Sequence, residues 1–341
     1  MASHSQIKKK KLLLSVIVPF YNQKYLQKCL ESIFESDYPN FEVIAINDGS
    51  TDNSLSIAKS FPCKVIDLKK NKGVANARNQ GAKVAKGNIL IFIDSDIVVE
   101  KDTLSKFAKV HENPEINVCD CGICPKSLTK GFAADLIAVL WSYYTLVRKH
   151  NPTFLNTMTC SIQKKVFDEI GQFDTSFEAA GGEEFEIGRI IRQHNYKIYV
   201  DTSFCIKHHF QNFWPRFKTL YNRSVVYGGL VLNRDYKLGK SHGTMNQGIN
   251  SVFSMIGAPV LISPIFLPIA ILPYTISFFV LIIIFQTLLD FGQTKYMIKL
   301  KGIIFFLKSI PLNYLWYLSM GLGITKAALM HYYKRIILSL G

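Results

Sequence analysis

The chain reads as an α/β protein built on a mainly parallel sheet, and three observations predict it. Short apolar runs alternate with helical stretches from Leu12 to Ile93. The runs stop at turn-forming or acidic residues, as at Asn47-Asp48-Gly49 and Asp94-Ser95-Asp96. The spacers between runs are long enough for a crossover helix, which strands paired in parallel require.

The elements follow in order. Leu12–Phe20 is a buried strand. Lys24–Ser36 is an amphipathic helix with Leu26, Cys29, Leu30 and Ile33 on one face. Phe41–Asn47 is the second strand, and Asp52 is set to cap a helix running to Lys59. Lys64–Leu68 is the third strand, Val74–Ala85 a helix of small residues, and Asn88–Ile93 the fourth strand. Helices over Thr103–His111 and Gly131–Arg148 follow, and a further apolar stretch covers Tyr199–Ile206. The topology suits a nucleotide, yet neither G-x-G-x-x-G nor G-x-x-x-x-G-K-[ST] is present, which disfavours dinucleotide and P-loop chemistry.

Composition changes near residues 240–250. Of 341 residues 48% are hydrophobic and 19% charged, and no Asp, Glu, Lys or Arg occurs between Ser241 and Leu289. As one helix, Gly257–Leu289 would span ~50 Å against a bilayer core of ~30 Å. A hairpin over about 252–290, broken near Pro268 or Pro273, fits better. Gly302–Thr325, containing Lys308 and Pro311, is a third span or an interfacial helix. The net charge is +15, and +9 of it lies in the first 250 residues. With such a tail, that balance points to a membrane surface rather than nucleic acid. Lys207, Arg216, Lys218, Arg223, Arg234, Lys237 and Lys240 stand where positive-inside charge belongs. Lys8–Lys11 make a basic N-terminal tail without a secretory pattern. Seven scattered cysteines read as free thiols, and Cys119, Cys121 and Cys124 lack the second ligand pair of a zinc site. The division expected is a basic tail (1–11), a catalytic domain (12–240) and a membrane region (241–341).

Asp94-Ser95-Asp96 carries the chemistry. Carboxylates one residue apart, at the carboxyl end of a buried strand, suit a hard divalent cation bridging to a diphosphate. In order along the chain stand Ser15-Val16-Ile17-Val18-Pro19-Phe20-Tyr21-Asn22, Ile46-Asn47-Asp48-Gly49-Ser50-Thr51-Asp52, Asn71-Lys72-Gly73 and Asp94-Ser95-Asp96. Phe167-Asp168-Glu169-Ile170-Gly171-Gln172-Phe173-Asp174 and Gly182-Glu183-Glu184-Phe185-Glu186-Ile187-Gly188-Arg189 follow. Together they resemble the signatures of family 2 inverting nucleotide-sugar glycosyltransferases, over residues 12 to about 210.

That resemblance implies a GT-A fold, an NDP-sugar donor, a UDP-sugar above all, and Mn²⁺ or Mg²⁺. Pro19, Tyr21 and Asn22 would meet the base, and Asp48 would accept the uracil N–H. Gly73 and the helix behind it would receive the diphosphate, with Arg78 one turn in. Asp94 and Ser95 would lie on the ribose and metal side, Asp96 would be the principal metal ligand, and His208 or His209 would join it. Glu183 and Glu184 stand where the family usually has Glu-Asp, which makes Glu184 the base with one extra methylene, a change of reach of ~1 Å. Arg189 is spaced to pair with Glu186. Gln211, Trp214 and Arg216 do not form the Q-x-x-R-W arrangement of processive synthases; Phe210, Phe213, Trp214 and Phe217 read as anchors of an interfacial helix. The expectation is transfer of a single sugar to a lipid-linked or surface saccharide acceptor. Transfer to a polyprenyl phosphate and catalytically silent nucleotide-sugar binding are the alternatives.

Overall fold

A computed structural model describes residues 12–150, 152–177, 182–233, 242–262 and 272–340. Lys8–Lys11, Gly181, Arg234, Lys237, Lys240 and Pro268 lie outside the described residues. The chain forms two compact units. The first comprises residues 1–121, 154–179 and 183–206; the second comprises residues 122–153, 180–182 and 207–341. The composition shift at 240–250 therefore falls inside the second unit.

The alternation read from the sequence gives β1 (Leu14–Phe20), α1 (Leu26–Phe34), β2 (Phe41–Asn47), α2 (Ser54–Lys59), β3 (Lys64–Asp67), α3 (Val74–Val84) and β4 (Ile89–Ile93). Next come β5 (Ile97–Val98), α4 (Thr103–Val110), β6 (Val118–Ile123), α5 (Phe132–Arg148), β7 (Thr159–Gln163), α6 (Lys164–Glu169), α7 (Glu183–Gln193) and β8 (Ile198–His208). The sheet has eight strands in the order β3-β2-β1-β4-β7-β6-β8-β5. Its first four strands are parallel, whereas β7 runs antiparallel to both β4 and β6, so the sheet is mixed.

Register sets the site. Phe20 pairs with Asn47, and Ile17 with Phe92, so β1, β2 and β4 end along one edge of the sheet. Residues 21–22, 48–50 and 94–96 emerge there together, where parallel sheets present ligands. Beneath this edge Ile17, Ile46, Leu90 and Phe92 pack against Ala77, Phe167, Phe173, Ile187 and Ile191. Phe173 meets Phe92 edge-on at 5.2 Å and lies 5.5 Å from Phe167. Burial of these side chains, worth about 1.5–3 kcal/mol each, seats α3 and α7 on the sheet.

The second unit is helical, with α5 joined by α8 (Phe213–Asn233), α9 (His242–Ile262), α10 (Leu272–Leu289), α11 (Phe291–Lys301) and α12 (Ile303–Leu340). Leu136, Val139 and Leu140 of α5 form a core with Met297 of α11. Asp290, the sole acid after residue 250, accepts a 2.6 Å hydrogen bond from Asn250 Nδ2 and another from the Tyr317 hydroxyl. The hairpin expected over 252–290 corresponds to α9 and α10 on either side of 263–271, which are not described. The stretch expected at 302–325 is the first part of α12, a helix of 38 residues. Leu272–Leu289 and Ile303–Tyr333 are, among the described residues, the two helices long and apolar enough to cross a membrane. Of the four aromatic anchors, Trp214 is 73% exposed, but Phe210 is buried and stacks on His208 at 4.2 Å. Cys29, Cys63, Cys119, Cys121 and Cys160 are free thiols, whereas Cys124 and Cys205 are disulfide-bonded, against the expectation of free thiols throughout.

Candidate active site

At the end of β1, Asn22 adopts φ +46° and its side chain staples the turn after β2. Asn22 Oδ1 accepts the backbone N–H of Thr51 at 2.8 Å and of Asp52 at 3.3 Å. The Asn22 N–H donates to Ser50 Oγ at 3.0 Å. Pro19 is buried within β1, and Tyr21 beside it is 47% exposed.

Asp48 is almost wholly buried. Its Oδ1 accepts the N–H of Lys72 at 2.8 Å, and its Oδ2 accepts the N–H of Gly73 at 2.9 Å. Burial pushes its carboxyl above the usual range and outweighs these two bonds, which act the other way. The same contact explains Gly49. At φ +77° a Cβ would stand 2.7 Å from Asn71 N and from Lys70 C, so the β2 turn and the 70–73 loop close on each other only through glycine. Gly73, at φ +88°, then opens α3.

Arg78 lies in α3, and its guanidinium is turned inward. Nη2 donates to Asp94 Oδ1 at 2.7 Å and to the Thr157 carbonyl at 3.4 Å; Nη1 donates to Glu183 Oε1 at 3.4 Å. Its charge sits 5.4 Å from the centre of the Phe173 ring. The sequence directs Arg78 toward a diphosphate; in the fold it is 2% exposed and faces two acids. Burial would favour the neutral form, and Asp94 with Glu183 more than reverses that.

Asp94 and Asp96 follow β4, both half-buried, with Ser95 buried between them. The Asp94 N–H donates to the Met158 carbonyl at 2.9 Å, which ties the turn to the approach of β7. Cys29 lies beneath, its Sγ 3.7 Å from the Asp94 carbonyl; burial, then the charges of Asp96 and Asp94, push its thiol upward, so it stays protonated. Among the described residues no group of three or more His, Cys, Asp or Glu side chains is assembled for a metal. The donor set nevertheless fits a hard cation: Asp94 and Asp96 offer carboxylate oxygens at a strand end, and water and phosphate oxygens complete such a shell. His208 ends β8 and belongs to the second unit.

Three acids open α7. Glu183 is 4% exposed and faces Arg78. Glu186 is buried and takes a bidentate pair from Arg189 at 3.1 and 2.6 Å, the partner that the spacing suggested. Glu184 is half-buried, and its backbone carbonyl accepts the Leu155 N–H at 3.1 Å. Thr157, Phe173 and Cys29 are the site residues that sequence reasoning missed. All three are buried contributors whose types carry no chemical signature.

The fold and this edge of acids define a GT-A-type α/β protein. Over 94% of the chain it matches 87% of a solved mannosyltransferase, PcManGT from Pyrobaculum calidifontis in complex with GDP-Man and Mn²⁺, at TM-score 0.54 and 15% identity. Residues 15–171 match the model of glycosyl transferase family 2, and the chain carries a domain of that family. Curated relatives agree. Glycosyltransferase GlyA of Streptococcus pneumoniae is 29% identical over 51% of this chain and 23% of its own length. Uncharacterized glycosyltransferase YfnE of Bacillus subtilis is 43% identical over 32% of this chain and 29% of its own. Poly(ribitol-phosphate) beta-N-acetylglucosaminyltransferase TarS of Staphylococcus aureus is 39% identical over 28% of this chain and 18% of its own. The matches thus span less than a third of these relatives' lengths.

Proposed function

We propose that the protein is a membrane-bound inverting glycosyltransferase that moves one sugar from a nucleotide-sugar, a UDP-sugar, to a lipid-linked or surface saccharide acceptor. The carrying observation is Glu184: a half-buried carboxylate at the head of α7, next in sequence to Glu183 in the buried Glu183–Arg78–Asp94 cluster, in a chain with a family 2 domain. The neighbour of the same fold holds a nucleotide-sugar and Mn²⁺, which supports the donor class.

In this reading Asp48 and the turn stapled by Asn22 receive the base, and Tyr21 flanks it. Gly73 and the first N–H groups of α3 face the diphosphate, where a helix N-terminus favours an anion. Asp96 and Asp94 would hold Mn²⁺ or Mg²⁺, which would supply Lewis-acid relief of charge on the departing nucleoside diphosphate. Inversion needs one direct displacement. Glu184 takes the proton from an acceptor hydroxyl as its oxygen bonds to the anomeric carbon, and the bond from that carbon to the diphosphate breaks.

Membrane attachment rests on exposure. In α10 only 11% of the apolar stretch is buried, and in α12 only 22%. Leu281 and Leu288 stand 61% and 63% exposed, as a lipid-facing helix requires. The catalytic domain then lies on the cytoplasmic side, with Lys295, Lys299 and Lys301 on the same side.

The test is a nucleotide-binding screen of the detergent-purified chain with UDP, GDP and dTDP, with and without Mn²⁺, alongside Asp96→Ala. Metal-dependent UDP binding, weakened in the variant, is the expected result. Preference for GDP would correct the donor, and no binding at all would overturn the reading.

A further inference from the structure

We propose that Arg78 is a positioning residue, one that locks Asp94 and the head of α7 into a single buried unit and so decides which of Glu183 and Glu184 is presented to an acceptor. This rests on the glycosyl-transfer reading above.

The contacts are specific. Arg78, 2% exposed, reaches Asp94 Oδ1 at 2.7 Å, Glu183 Oε1 at 3.4 Å and the Thr157 carbonyl at 3.4 Å. Three segments far apart in sequence thus converge on one side chain: the end of β4, the start of α7 and the approach to β7. The contacts leave from two nitrogens of one planar fork, Nη1 toward Glu183 and Nη2 toward Asp94 and Thr157; a lysine has a single ammonium nitrogen and cannot occupy both positions. Phe173 lies 5.4 Å from the guanidinium and is itself wedged between Phe92 and Phe167, so the fork has little room to slide.

The consequence falls on the neighbouring acid. Successive residues of an α-helix are about 100° apart around its axis. With Glu183 held inward, Glu184 is turned away from it, and Glu184 is the half-buried one of the pair. The Leu155 N–H on the Glu184 carbonyl, at 3.1 Å, fixes the same turn from the other side. Loss of the fork removes the tie between Glu183 and Asp94, and the head of α7 then shifts enough to change the reach of Glu184 toward the donor.

The test uses the full chain in detergent. Donor turnover with Mn²⁺ and nucleotide affinity are measured for wild type, Arg78→Lys, Glu183→Gln and the double variant, with thermal melts to confirm folding. Each single variant is expected to lose about 100-fold in kcat, as for a misplacement of ~1 Å. Nucleotide Kd of Glu183→Gln should change by less than about threefold, because the contact it cuts lies at the head of α7, whereas Arg78→Lys also loosens Asp94 and weakens Mn²⁺-dependent nucleotide binding. The double variant should be no worse than the worse single, since both cut one link. Wild-type kcat in a folded single variant, a parallel loss of nucleotide affinity in Glu183→Gln, or multiplicative losses in the double would each overturn the proposal. Should Arg78→Lys fail to fold, the near-isosteric Glu183→Gln decides by the same criteria. Absence of turnover in the wild type is a separate result: it defeats the transfer reading itself, and this inference with it.

Discussion

Replacing Gly188 by alanine sets two effects against each other inside α7. In an exposed helix the change stabilises by about 1 kcal/mol. Here a Cβ on residue 188 would stand 2.6 Å from Phe154 Cα and 3.0 Å from both Leu155 N and Phe154 C. All three are backbone atoms, so no rotamer relieves the clash. Ordinary carbon contact lies near 3.6 Å, so α7 and the 154–155 segment must part by about 1 Å. Overpacking of that kind costs typically 1–3 kcal/mol, and the parting also strains the Leu155 N–H to Glu184 carbonyl bond. The clash wins, for a net loss of about 1–2 kcal/mol. Because Glu184 rides on the same helix, kcat should fall about 100-fold while nucleotide affinity holds. Thermal melts and turnover on the detergent-solubilised chain measure both. A Gly188→Ala protein that melts at or above wild type would refute this account of α7.

Three further outcomes follow from particular residues. Gly49→Ala adds strain at φ +77° of about 1–2 kcal/mol to a clash with the Lys70–Asn71 backbone, for a loss of about 2–4 kcal/mol in denaturant titrations and weaker nucleotide binding; an unchanged midpoint would contradict it. His111 is buried, with Nδ1 3.0 Å from the Ile116 carbonyl and Nε2 2.8 Å from Ser161 Oγ, and burial lowers its pKa from 6.5 to about 4. The unfolded chain therefore gains a proton on acidification before the native one does, and stability falls as pH drops through that window, by about 2 kcal/mol between pH 7 and 5. His111→Gln should remove that part of the pH dependence, and a variant with the wild-type slope would contradict the assignment. Leu281→Arg, on the exposed face of α10, should cost about 3 kcal/mol of insertion and deplete the membrane fraction; undiminished carbonate-resistant membrane recovery would show that this helix does not cross the bilayer.

Much of the parallel half of the sheet was legible because each strand there is an apolar run ended by a turn residue. The antiparallel half was not. β7 reads Thr-Cys-Ser-Ile-Gln, and its buried Thr159 and Ser161 break the pattern; Ser161 is satisfied by His111. Cys119 and Cys121, considered as metal ligands, lie within β6, where Asp120 is fully buried and accepts the Asn156 N–H at 3.0 Å. Polar groups paired inside a core do not announce themselves in hydropathy. The acids of the candidate site were visible as types at strand and helix ends. The inward turn of Arg78 was not, because Glu183 lies 105 residues away and one sequence carries no record of contact. The helical tail was plain from its apolar length, while the division at Lys207 follows packing that composition does not reveal.

The most direct test of the central claim is turnover: release of nucleoside diphosphate from UDP-sugars by the detergent-purified chain with Mn²⁺ and membrane-extracted acceptors, in wild type, Asp96→Ala and Glu184→Gln. Metal-dependent UDP release, lost in both variants while Glu184→Gln still binds UDP, is the result the account predicts. UDP release that survives Glu184→Gln undiminished would contradict it.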